Sequence, residues 1–92
     1  MTTHTPLHLA RNLGPKTAQE LGEVGFATLE QCRHTGWEEV LRMWVACCPQ
    51  RANLNAARAL FGAIHETDWR NIPAAELPKI REIVTELKRL NS

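Results

Sequence analysis

The chain has 92 residues, enough for one domain near the small end of what folds without staples. Its 43% apolar content is that of a globular protein, and a net charge of +1 excludes a polybasic arm, an acidic tail and capture of a partner by bulk charge. The longest apolar run, Met43 to Cys48, is far too short to span a bilayer. The opening Met1-Thr2-Thr3-His4-Thr5-Pro6 has neither a basic nor an apolar region, so no secretory signal is read there. Three cysteines, two of them adjacent, suit a reduced cytoplasmic protein better than a disulfide scaffold.

In chain order, residues 1–6 are expected to be a flexible N-terminus to a single domain over 1–92. Leu7 to Leu13 is a short apolar-patterned piece that Gly14-Pro15 ends. Pro15 is pre-set for the first position of the next helix, whose inner face is Ala18, Leu21 and Val24, with Gly25 as its left-handed stop. Thr28-Leu29-Glu30-Gln31 is a capping-box pattern that opens a short helix ending at Gly36. Trp37, Val40, Leu41, Trp44, Val45 and Cys48 recur at offsets of three and four, one apolar stripe between Gly36 and Pro49. Asn53 is a good N-cap for a helix burying Leu54, Ala57, Leu60, Phe61 and Ile64. A turn is expected at Pro73–Leu77, then a long helix from Pro78 with the stripe Ile80, Ile83, Val84, Leu87 and Leu90.

Apolar residues alternate nowhere for long, so no strand is read. The fold class is all-α: a compact bundle of five or six short helices with a helix-hairpin-helix-like N-terminal half. The expected core is Leu9, Leu13, Ala18, Leu21, Leu29, Val40, Leu41, Trp44, Leu60, Phe61, Ile64, Trp69, Ile83 and Leu87. Trp69 belongs there because Ile64 and Ile72 flank it; its other role would be a stacking platform for a base. Gly62, among Ala56, Ala57, Ala59 and Ala63, reads as a close approach of two helices.

The turn Leu13-Gly14-Pro15-Lys16-Thr17 is the most chemically suggestive segment. A hairpin of helices needs a residue at positive φ, a role assigned to Gly14, and the next helix then offers its unsatisfied amides to an anion. The amides of Gly14, Lys16 and Thr17 could face one phosphate, with the Lys16 ammonium and Thr17 hydroxyl nearby and Arg11 as a flanking contact. The usual pair of glycines has Asn12 in its first place, which tolerates the left-handed region better than most residues. Two readings stand: a phosphate clamp, and a structural brace with Leu13, Ala18 and Leu21 as its core. Acidic Glu20 and Glu23 on the same helix, and the near-neutral charge, favour the brace.

No catalytic or metal site is read. Cys32, Cys47 and Cys48 with His34 and His65 lack zinc-ligand spacing, and Cys32 and Cys48 fit apolar stripes as core groups. His4 and His8 are separated by Pro6. Glu38, Glu39, Glu76, Glu82 and Glu86 sit at water-facing positions, the last two beside Arg81, Lys88 and Arg89, a solvated face with no acid–base pair. No enzyme activity, cofactor, membrane association or small-molecule substrate is expected.

A longer set of residues carries a resemblance. Leu9 to Ala18, Leu21 with Val24-Gly25-Phe26, Thr28-Leu29-Glu30, Leu54-Asn55, Ala59-Leu60, Gly62-Ala63-Ile64, Trp69 and Ile72-Pro73 together resemble the TfoX/Sxy C-terminal domain. The resemblance implies an all-helical, non-enzymatic regulatory domain linked to bacterial DNA transformation competence and transcriptional regulation. Longer members of that family act with the cyclic-AMP receptor protein and carry a separate N-terminal domain; this chain is expected to be the C-terminal unit alone. Weak contact with a DNA backbone, or docking onto a protein partner or a second copy without nucleic-acid affinity, are the two functions it leaves open.

Overall fold

The structure of the protein, a computed structural model, describes residues 6, 7, 10 and 12–90. Five α-helices follow in order among them: α1 (Pro15–Glu23), α2 (Leu29–Thr35), α3 (Trp37–Cys47), α4 (Leu54–Ile64) and α5 (Leu77–Leu90). Three short 3₁₀ turns, Pro49–Arg51, Trp69–Asn71 and Ala74–Glu76, join the later helices. The expected all-α bundle is what forms; the extended pairing among these residues is a single antiparallel bridge between Pro6 and Thr28. Its radius of gyration, 12.3 Å, is that of one folded domain of this length, about 12 Å.

Local chemistry sets the helix ends. The Thr28 hydroxyl accepts from the Gln31 amide at 3.3 Å while the Gln31 side chain accepts from the Thr28 amide, the capping box expected from sequence. Gly36, at φ 99°, both closes α2 and opens α3, a one-residue corner that a side chain would strain. Asn53 caps α4 by accepting from the Ala56 amide at 2.7 Å. α1 ends in a Schellman motif: the Phe26 amide donates to Leu21 O at 3.0 Å and the Gly25 amide to Gly22 O at 3.1 Å. α4 ends the same way, Thr67 to Gly62 O at 2.7 Å and Glu66 to Ala63 O at 3.4 Å, but the left-handed residue there is Glu66 at φ 54°.

The stripes meet in one core. Leu21, Val40, Leu41, Trp44, Val45, Leu60 and Ile80 are almost wholly removed from water. Trp37 packs edge-on against Phe61, ring centres 5.5 Å apart, worth about 1 kcal/mol beyond area burial. Cys32 and Cys48 are buried and Cys47 exposed, as their stripes imply. Ala18 and Ile83, expected in the core, are half-buried at its edge, whereas Leu9 lies outside the described residues. Leu7, Ala10 and Leu13, from the apolar piece before the turn, are buried and linked by bonds from Ala10 to Leu7 O (3.0 Å) and Leu13 to Ala10 O (3.2 Å).

Trp69 corrects the sequence reading. It is 38% exposed, in a 3₁₀ turn that packs against α4 with the Trp69 amide tied to the Asn12 side chain. Gly62 has a different cause from the one expected. A Cβ there would lie 2.3 Å from Thr67 O and 2.5 Å from Asn12 Nδ2, so its missing side chain admits a loop and an asparagine, not a second helix. Gly62 is the seat on which two distant segments close.

Candidate nucleic-acid interface

The hairpin turn is built by a different residue from the one expected. Asn12 occupies the left-handed region at φ 70°, and Gly14 is extended at φ −100°, ψ 178°. The reason is tertiary: the Asn12 side chain donates to Thr67 O at 3.0 Å and accepts from the Trp69 amide at 3.5 Å. Both bonds span more than fifty residues of sequence. An asparagine at that place therefore braces the hairpin against the end of α4, which a glycine would not do.

Gly14 is then the N-cap of α1 and Pro15 its first residue, as read from sequence. Gly14 provides no side-chain cap, so the amides of Lys16 and Thr17 have no partner from that quarter, and the helix dipole adds a positive field. Lys16 is exposed and Thr17 half-buried. Gly14, Lys16 and Thr17 are thus gathered at one helix terminus; Arg11 lies outside the described residues. Thr17 also lines a groove of about 330 Å³ with Trp44, Arg51, Asn53, Asn55, Ala56 and Ala59. Through it the first turn of α1 faces the first two turns of α4.

Glu20, one turn further along α1, is not a solvated acid. It is 8% exposed and accepts from Trp44 Nε1 at 2.8 Å, Arg51 Nε at 2.7 Å and Arg51 Nη2 at 3.0 Å. The Arg51 hydrogen bond holds the Glu20 carboxyl below the usual carboxylate range against the opposing effect of burial, with help from Trp44. Arg51 is raised in turn by the same contact, and its guanidinium lies 5.4 Å from the Trp44 ring centre. Sequence reasoning missed this triad. A signal existed: Trp44 on a core stripe carries a buried N–H that needs an acceptor. Its consequence for charge is direct, since Arg51 cancels the Glu20 charge that stood against an anion at the turn.

Trp37, Phe61, His65, Thr67, Pro73, Glu76 and Lys79 line a second cavity, of about 440 Å³, which shares Thr67 with the Asn12 brace. Lys79 pairs across its edge with Glu38 at 3.0 Å. Among the described residues, no three His, Cys, Asp or Glu side chains are grouped to hold a metal, and no helix is long and apolar enough to cross a membrane.

The fold is an all-α bundle in which a braced turn opens a helix N-terminus that has no side-chain cap. The comparisons narrow the class. Residues 3–83 match the family model described as the TfoX C-terminal domain, and the chain belongs to that family. No curated protein matches it. The crystal structure of an uncharacterized protein from Listeria monocytogenes, in a triclinic form, superposes with a TM-score of 0.82 at 20% identity. That superposition covers 89% of this chain and 92% of the other and shows a shared fold.

Proposed function

We infer that this chain is a non-enzymatic regulatory domain that holds a nucleic-acid backbone at the Gly14–Thr17 turn, acting in bacterial competence and transcriptional regulation as its family membership suggests. The observation that carries the reading is the start of α1: a rigid, asparagine-braced turn leads into a helix whose first amides lack a side-chain cap, with Lys16 exposed above them. Such a terminus binds a phosphate without reading bases, so the contact is weak and sequence-independent. Arg11 flanks it in the sequence, and three free thiols suit action in the cytoplasm.

A fluorescence titration of a labelled DNA duplex at low and at physiological salt tests this, comparing wild type with Lys16→Glu. Binding that weakens with salt and disappears in the variant supports the clamp. No binding at low salt reduces the turn to a brace.

One observation favours a second reading, docking onto a protein partner or a second copy. Leu90 is 62% exposed at the end of α5, and with Ile83 and Leu87 it lines a groove edged by Glu38, Arg42 and Glu86. A mass that rises with concentration would support that reading.

A further inference from the structure

We propose that the nucleic acid taken at the turn presents an unpaired nucleotide, with Trp69 as the platform on which its base stacks. The proposal rests on the backbone contact above and names its substrate class: a single strand in preference to a closed duplex.

Three placements carry it. First, Trp69 is fixed beside the hairpin: its amide donates to Asn12 Oδ1 at 3.5 Å, two residues before the Gly14 cap. Trp69 as a residue is 38% exposed, whereas Trp37 and Trp44 are buried in the core. Second, the ground between turn and ring is basic and polar. Asn55, Arg58 and Gly62 follow at helical spacing on one face of α4. Asn55 shares the groove with Thr17, and Gly62 is the seat of the Asn12 and Thr67–Trp69 contacts. Arg58 Nε is buried with no hydrogen-bond acceptor among the described residues. Third, the acids nearest the ring are offset. Asp68 is held by Arg70 through bonds of 3.0 Å from both Nε and Nη2, and Glu66 lies 4.0 Å from Arg33 Nη2.

Phosphate donors at one end, a cation along the way and an exposed indole at the other are the parts from which non-sequence-specific single-strand sites are made. A base inside a closed duplex keeps its faces on its neighbours and cannot reach the ring; an unpaired one can.

The experiment uses the full chain, a labelled short single-stranded oligonucleotide, and the blunt duplex formed from the same strand, at low salt. Wild type should bind the single strand more tightly, and the emission of Trp69, the tryptophan open to solvent, should be quenched on binding. Trp69→Ala should weaken single-strand binding by about five- to a hundredfold, leave the duplex unchanged, and be largely rescued by Trp69→Phe. The quenching is read on wild type, so it holds even if Trp69→Ala folds poorly. Equal or tighter duplex binding without quenching overturns the proposal, and a loss in Lys16→Glu would then still uphold the backbone contact. Failure of both nucleic acids to bind overturns both.

Discussion

Replacing Gly62 by alanine should destabilise the protein, although glycine inside a helix is ordinarily the weaker residue. In an open position the change gains up to about 1 kcal/mol, because alanine loses less backbone entropy on folding. At Gly62 the new Cβ would sit 2.3 Å from Thr67 O and 2.5 Å from Asn12 Nδ2. The first of these is backbone, fixed by the 2.7 Å bond from the Thr67 amide back to Gly62 O, so it cannot swing aside as a flexible side chain would. Overpacking of this kind costs about 1–3 kcal/mol, and losing the Asn12–Thr67 bond adds about 1 kcal/mol. Against the propensity gain, the net loss is about 1–3 kcal/mol, a fall in Tm of roughly 5–20 °C for a domain of this size. Gly22 is the control: it lies within α1 and a Cβ there meets nothing within 4 Å, so Gly22→Ala should raise stability. Thermal and urea unfolding followed by circular dichroism read both. A Gly62→Ala protein as stable as wild type would refute the packing argument.

Glu66→Gly should stabilise by about 1 kcal/mol, since it removes a side chain from the left-handed position of the α4 stop, and urea unfolding reads the gain directly. Glu20→Gln should cost about 1–3 kcal/mol by unpairing Arg51, which is partly reached by water, and should flatten the acid limb of the stability profile. The sign follows from the lowered Glu20 pKa: its contribution is whole above the ordinary carboxylate value of 4.5 and is lost as pH falls below it. Of the three thiols, Cys47 alone should react quickly with an alkylating reagent in the native state, because burial pushes Cys32 up to about 11 and raises Cys48 as well. Rapid modification of two thiols, read by mass spectrometry, would contradict that burial.

What was legible in the sequence was local. The Thr28 box, the Asn53 cap and Pro15 at the helix start each depend on residues within one turn, and each formed as read. The apolar stripe of α3 found its core because periodicity alone decides which face turns inward. What escaped depended on distance along the chain. Asn12 meets Thr67 across 55 positions and Glu20 meets Arg51 across 31, pairings that no local pattern encodes. Trp69 looked like core because Ile64 and Ile72 flank it, yet both isoleucines are buried while Trp69, in a 3₁₀ turn between them, is 38% exposed. The candidate site was half legible: its amides were readable from Gly-Pro-Lys-Thr, whereas the brace that fixes them was not.

The most direct test of the central claim is to map amide chemical shifts in an isotope-labelled sample as a short DNA is added. The account predicts that the largest shifts fall at Gly14, Lys16 and Thr17, and that they vanish at high salt. Shifts gathered instead on Ile83, Leu87 and Leu90, or none anywhere at low salt, would contradict it.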